Sequence, residues 1–270
     1  MPSPTPPAKG PAASRSASAP TPSASPKPLL AAKGLFKFHG PKGRETAVLS
    51  DVSFQVAKGE FLCIMGPSGS GKSTLLHLIA GLDDPSSGEV ILNGNALSEL
   101  KEKDRTRLRR DAIGFVFQFF NLLPTLNVEE NVGLPLAIRG QHAKRDHVAR
   151  TLERMGIEGR LDALPHELSG GQMQRVSIAR ALAGGQPLLL CDEPTGNLSQ
   201  QAGLEVMNLL RELVNTGRAT VLLVTHNPRD AAMADRVLFL VDGKLDAKHA
   251  LVGPGLAVEQ VHERLAELHI

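Results

Sequence analysis

Three short stretches of uninterrupted apolar residues constrain the fold of this chain more than any other feature. They are Phe61-Leu62-Cys63-Ile64-Met65, Pro187-Leu188-Leu189-Leu190-Cys191 and Thr220-Val221-Leu222-Leu223-Val224. A strand with one wet face alternates apolar and polar side chains; these runs do not alternate, so both of their faces must be covered, as in parallel strands. Loop residues and then helical periodicity follow each run, which is the pattern of an α/β protein. The runs around positions 48–56 and 89–92 are more mixed and flanked by Gly-containing turns, suggesting an antiparallel layer. Residues 118–183 carry no convincing strand pattern and read as a helical insert. The predicted fold class is α/β, with a parallel core sheet, an antiparallel β layer and a helical subdomain.

The flanks differ from this central part. Residues 1–28 are almost wholly Pro, Ser, Ala and Thr with a few basic residues and no acids. Such a segment cannot bury enough apolar surface to offset its ordering entropy and is expected to be disordered. A transit peptide is the rival reading, but the density of proline opposes the amphipathic helix one requires. At the other end, Val258, Val261, Leu265 and Leu268 share one helical face, either packed on the chain's own domain or presented to a partner. The organisation predicted is therefore a tail over 1–28, a globular domain over 29–248 and a C-terminal segment with an amphipathic helix over 249–270.

Composition excludes several classes. A net charge of +2 is too small to argue for nucleic acid or an anionic membrane surface. No apolar run reaches the ~18–20 residues of a membrane span. Two cysteines, Cys63 and Cys191, lie inside apolar runs, so reduced thiols in a cytosolic compartment are expected rather than a disulfide framework. Trp and Tyr are absent, which limits what could stack on a planar ligand.

Gly66-Pro67-Ser68-Gly69-Ser70-Gly71-Lys72-Ser73, followed by Thr74, fits G-x-x-x-x-G-K-[ST] and directly follows the first apolar run. Glycines let backbone N–H groups wrap phosphate, and the following helix adds its positive end. Lys72 can reach the β- and γ-phosphates, and the Ser73 hydroxyl can coordinate Mg²⁺. The reading is a nucleoside triphosphate site; a ligand-free Gly-rich turn is the bland alternative. The second apolar run ends in Asp192-Glu193. Two adjacent carboxylates at a buried strand end are costly unless a cation is near. Asp192 then supports the water shell of Mg²⁺, and Glu193 is free to orient or deprotonate the attacking water. The third run ends in Thr225-His226, and Gln118 closes the run Ile113-Gly114-Phe115-Val116-Phe117. Alone, that His and that Gln would be read as structural.

Between these elements lies Leu168-Ser169-Gly170-Gly171-Gln172, ahead of a helix expected to begin near Met173. With all five motifs in order, the chain resembles an ATP-binding cassette (ABC) ATPase, a branch of the P-loop NTPases, over roughly residues 29–248. The resemblance implies that Leu168–Gln172 is the signature that meets ATP held by the phosphate loop of a second subunit. It also implies that His226 contacts the γ-phosphate. Gln118 would meet Mg²⁺ and the attacking water and sense a transport subunit. The partners implied are a second copy of the chain and an integral membrane permease, with the protein peripheral on the cytoplasmic membrane face. Phe117-Gln118-Phe119-Phe120-Asn121-Leu122-Leu123-Pro124-Thr125-Leu126, Glu130-Asn131-Val132 and Leu134-Pro135-Leu136 resemble the lipoprotein-release and macrolide-efflux branch.

Two departures from the family pattern stand out. Leu198 is followed by Ser199, where the family has an aspartate that couples the two ATP sites. The family's adenine-stacking Tyr is replaced by His39, with Phe38 beside it as the alternative. Two other classes compete with a transporter subunit. An ATP-driven regulator of a membrane partner, of the cell-division type, would carry the same motifs. A chromosome-maintenance or repair ATPase needs long coiled-coil or zinc-binding inserts. Only about 100 residues separate the phosphate loop from Leu168 here, without cysteine pairs or sustained heptads. The basic run over 101–110 is broken by Glu102 and Asp104 and reads as a solvated helix face.

Overall fold

The computed structural model describes Met1 and residues 27–41, 43–141, 144–253 and 255–270. The disorder expected for residues 1–28 rests on positions 2–26 and lies outside the described residues. In chain order the first half holds β1 (Leu30–His39), β2 (Thr46–Val56), β3 (Phe61–Met65), α1 (Lys72–Ile79), β4 (Ser87–Leu92), β5 (Asn95–Ala96), α2 (Glu102–Ala112) and β6 (Ile113–Val116). Helices α3 (Val128–Ile138), α4 (Arg145–Arg154) and α5 (Gly170–Leu182) follow. The chain then completes β7 (Leu188–Asp192), α6 (Gln200–Asn215), β8 (Thr220–Thr225), α7 (Pro228–Ala231), β9 (Arg236–Val241), β10 (Lys244–Val252) and α8 (Val258–Glu267).

The three apolar runs become β3, β7 and β8, at the centre of a six-stranded sheet of order β10-β9-β3-β8-β7-β6. Every pairing in it is parallel except β10 with β9. Alternate residues of a strand face opposite ways, and the two faces enter two separate cores. Phe61, Cys63 and Met65 join a cluster with Val176, Ile178, Val206 and Leu210 from α5 and α6. Leu62 and Ile64 join the opposite cluster with Leu75 and Ile79 of α1 and with Leu30, Leu35, Leu49 and Leu92 of the antiparallel strands. Those strands form a four-stranded sheet of order β2-β1-β4-β5. The core sheet is thus covered on both sides, which is why none of its central strands alternates.

Parallel pairing also puts the strand ends together. Met65 is in register with Thr225, Asp192 with Val224, and Val116 with Cys191. The segments leaving β3, β6, β7 and β8 therefore emerge along one carboxyl edge, where α/β folds place their ligands.

Two boundaries differ from the sequence reading. Helix α5 begins at Gly170 rather than near Met173, because Ser169 caps it; the paired glycines mask a helix start that the cap creates. Strand β10 continues across position 248, and α8 buries Val261 in the same cluster that receives Val258, Leu265 and Leu268. The apolar stripe of the last helix is covered by its own domain. The basic run forms α2, which buries only Ala112. Cys63 and Cys191 are buried free thiols, and burial pushes both thiol pKa values up.

Candidate functional site

The loop from Gly66 to Gly71 turns tightly between β3 and α1. At Gly66 any Cβ would stand 2.1 Å from the Leu240 carbonyl oxygen, so no side chain fits. Gly71, the N-cap of α1, takes φ of 101°, a conformation that glycine alone adopts freely. Helix α1 has no side-chain cap and no acid in its first turn, leaving its first N–H groups to meet an anion. Lys72 is buried and donates to the carbonyls of Gly66 at 2.9 Å and Pro67 at 2.8 Å. Burial lowers its pKa, against the pull of Glu193 and Asp192. The Ser70 hydroxyl is buried without a hydrogen-bond partner, and Thr74 is half-buried at the start of the helix. A buried cation, an orphaned hydroxyl and an uncapped helix end fit a polyphosphate.

Opposite this loop, the Ser73 hydroxyl donates to Asp192 Oδ1 at 3.3 Å. Burial raises the Asp192 pKa, with the Ser73 hydrogen bond opposing it, so the carboxylate would gain from a cation. Among the described residues no group of three or more His, Cys, Asp or Glu side chains could cage a metal. The pair instead suits Mg²⁺, which takes one or two protein oxygens and completes its shell with phosphate and water.

Glu193 stands one residue beyond, at φ of 44°. That left-handed backbone is strained for a side chain with a Cβ, and such strain is held only where the surroundings over-determine it. Here the Glu193 N–H donates to the Val224 carbonyl at 3.0 Å. Its carboxylate lies 2.9 Å from His226 Nδ1. His226 therefore meets the glutamate directly, a contact its isolated position in the sequence did not reveal. Gln118 lies against the same turn: a Cβ on Gly196 would come 2.8 Å from its amide nitrogen, and Asn197 donates to its carbonyl at 2.9 Å.

Several residues hold this arrangement in roles that the sequence did not assign them. Asn131, fully buried, accepts from Leu123 N–H and donates to the carbonyls of Leu123, Leu126 and Asn127, tying down the loop after Gln118. Gln174 on α5 donates to the Phe117 carbonyl at 3.2 Å. Arg180 donates to the carbonyls of Phe120 and Asn121, both at positive φ; burial lowers its pKa. Asp230 accepts from the Thr195 hydroxyl. Only Asn131 had a signal nearby: Asn127 and Glu130 form a capping box at the start of α3.

The signature is not part of this cluster. Ser169 Oγ accepts from Gln172 N–H at 3.3 Å while Gln172 Oε1 accepts from Ser169 N–H at 2.9 Å. Leu168 is buried and Ser169 exposed. A Cβ on Gly170 would meet Leu198 at 3.2 Å, and one on Gly171 would meet Ala202 at 3.1 Å, so these glycines let α5 sit close on the start of α6. Ser199 caps α6, accepting from Ala202 N–H at 3.4 Å. Phe38 and His39 are both exposed at the end of β1, paired with Ala47 and Thr46. The next β2 residue, Val48, puts its carbonyl 2.9 Å from where a Gly71 Cβ would be, which brings this hairpin beside the phosphate loop.

The family described as ABC transporter matches residues 49–196. The ABC transporter ATP-binding protein YbbA of Escherichia coli K12 is 47% identical over 213 residues, spanning 78% of this chain and 93% of YbbA. The macrolide export ATP-binding/permease protein MacB of Campylobacter jejuni is 45% identical over 203 residues, 74% of this chain but 32% of MacB. Among solved structures, the ATP-binding cassette MJ0796, as a dimer in a post-hydrolysis state with ADP and Pi, superposes with a TM-score of 0.76 at 38% identity. It covers 84% of this chain and 100% of MJ0796.

Proposed function

The chain belongs to the ABC transporter family as an ATP-binding subunit, and from that premise we propose that it hydrolyses Mg–ATP as a homodimer to drive a separate membrane permease. The observation that carries the reading is the convergence at one sheet edge of the Ser73–Asp192 contact at 3.3 Å and the Glu193–His226 contact at 2.9 Å. In this reading Gly66 to Thr74 hold the phosphates and Lys72 leaves its loop carbonyls for the β- and γ-phosphates. Ser73, Asp192 and Gln118 hold Mg²⁺, which when bound neutralises phosphate charge and makes the γ-phosphorus a better electrophile. Glu193 takes the proton of the attacking water. His226 can donate both to Glu193 through Nδ1 and to the γ-phosphate oxygen through Nε2 only with a proton on each ring nitrogen, the form in which it would bridge the two. His39, or Phe38 in its place, stacks on adenine.

Leu168 to Gln172 would complete the site of the second subunit, since the Ser169 hydroxyl still has its proton to donate and the Gly170 and Gly171 N–H groups lie in the first turn of α5. The dimeric ADP- and Pi-bound state of MJ0796 supports both dimerisation and turnover. The permease would dock beside Gln118, on an apolar groove of about 310 Å³ lined by Phe115, Phe117, Leu134, Pro135 and Ile138. Phe119 and Ile138 support this, being 72% and 71% exposed, unusual for large apolar side chains. Among the described residues no helix is long and apolar enough to cross a membrane, so the membrane path would belong to the partner. Likeness to MacB, a macrolide export protein, supports export as the task, and the resemblance of residues 117–126 to the lipoprotein-release branch adds release of lipoproteins or other lipophilic cargo.

Glu193→Gln tests the proposal: it should bind ATP, stop turning it over and accumulate as an ATP-bound dimer on size exclusion. A Glu193→Gln chain that stays monomeric in saturating ATP would refute the dimer mechanism.

A further inference from the structure

Asp230 is the only buried carboxylate among the described residues, 5% exposed. Among the described residues it forms no ion pair, and its carboxylate accepts from the Thr195 hydroxyl. Burial raises its pKa, with the Thr195 hydrogen bond and the nearby His226 working the other way. A lone buried carboxylate costs stability, and its location suggests what offsets the cost. Asp230 sits on α7, whose N-cap Asn227 follows His226 directly. Its one side-chain donor by geometry is Thr195, in the turn Glu193-Pro194-Thr195-Gly196, where Gly196 N–H closes onto the Glu193 carbonyl at 3.1 Å.

The two halves of the hydrolytic pair thus come from segments leaving different strands, β7 and β8, and the Thr195–Asp230 hydrogen bond ties those segments together. On its other flank the turn rests on Gln118. A cavity of about 590 Å³ lies behind it, lined by Thr195, Leu198, Ser199, Asn227 and Asp230 among others, so little side-chain packing backs the turn there. We propose that Asp230 is a positioning residue for hydrolysis. Through Thr195 it clamps the turn that keeps Glu193 in its left-handed conformation against His226. The inference rests on the ATPase reading for its catalytic consequence, but not for its structural one.

The test uses the full chain as wild type, Asp230→Ala, Asp230→Asn, Thr195→Val, Thr195→Ser and the Thr195→Val/Asp230→Ala double variant. Backbone hydrogen exchange over residues 193–198 is followed without nucleotide, alongside kcat and KM for Mg–ATP. Asp230→Ala and Thr195→Val should each exchange about fivefold faster in that segment. Their kcat should fall by about 10- to 100-fold, with KM changed by less than about twofold. Thr195→Ser and Asp230→Asn, which keep a donor and an acceptor, should restore both readouts, and the double variant should be no worse than either single one. Unchanged exchange in folded Asp230→Ala, or additive losses in the double variant, would overturn the proposal. If Asp230→Ala does not fold, Thr195→Val removes the same bond and decides between the same outcomes. A wild-type chain without turnover would defeat the ATPase reading alone, leaving the exchange comparison to judge the clamp.

Discussion

Two helix starts in this molecule, both proposed to meet phosphate, are built in opposite ways. Helix α1 begins at Gly71 in a left-handed conformation, with no side-chain cap, a buried lysine and a buried unpaired serine hydroxyl close by. Helix α5 begins behind its N-cap Ser169, which is exposed and closed by a reciprocal capping box with Gln172. The first leaves its polar groups short of partners, so a polyphosphate would relieve a cost already carried by the fold. The second satisfies itself and offers only surplus donors, the Ser169 hydroxyl proton and two glycine N–H groups. That suits a half-site that must stay folded and open until a second subunit brings it a phosphate. On the proposed function, the difference teaches that one helix end suits a resident ligand and the other a visiting one.

Four experiments test this contrast, beginning with the largest expected effect. Lys72→Met should weaken ATP binding by on the order of 100-fold, about 2.7 kcal/mol, without lowering the melting temperature, because a desolvated ammonium is removed. Calorimetric titration that finds wild-type affinity would break the assignment of the α1 end. Ser169→Asp keeps a capping oxygen but sets a carboxylate against the visiting phosphate. Thermal stability should hold within about 0.5 kcal/mol, while ATP-driven dimerisation in a Glu193→Gln background weakens by roughly tenfold or more. Light scattering that still shows full dimer would deny the α5 end its role.

The third compares Gly71→Ala with Gly170→Ala. At Gly71 a Cβ meets positive φ, the Val48 carbonyl at 2.9 Å and Leu49, so a loss of about 1–3 kcal/mol in urea denaturation is expected. At Gly170 the nearest atom is a flexible Leu198 methyl at 3.2 Å, and alanine's helix propensity should hold the net change near zero, within about 0.5 kcal/mol. Equal losses at the two sites would erase the distinction.

The smallest effect concerns Asp192, whose pKa burial holds above the ordinary carboxylate range. The unfolded carboxyl ionises at its usual pKa while the folded one resists. Without Mg²⁺, stability should therefore fall as pH rises from the ordinary value through the raised one. Asp192→Asn should flatten that slope and gain about 1 kcal/mol near neutral pH, while losing Mg²⁺-dependent nucleotide binding. A steeper slope in the variant would reverse the cause assigned here.

The legible parts of the site were those whose chemistry lies within a few residues of sequence. The phosphate loop and Asp192-Glu193 carry their meaning locally, because a strand and the turn that leaves it make a short pattern. Gln118 and His226 were legible only through their order relative to the other motifs. Asp230, Gln174 and Arg180 left no pattern: a polar residue in a helix says nothing until its partner is known. Those partners are Thr195, Phe117 and the carbonyls of Phe120 and Asn121, each on another element. The start of α5 was missed by about one turn because glycines weaken the helical signal while the Ser169–Gln172 box supplies the cap.

The sequence by itself determined that β3, β7 and β8 would be covered on both faces, since runs such as Phe61–Met65 have no polar side to give to water. It also determined that a phosphate-wrapping turn would follow one of them. Only the tertiary structure decided that Ser73 meets Asp192 and that His226 meets Glu193. Those contacts depend on parallel register, which sets the ends of β3, β7 and β8 side by side although their residues are far apart along the chain. Periodicity reports which face of a strand is buried. It does not report which strand lies next to it, and catalysis at a sheet edge depends on that adjacency.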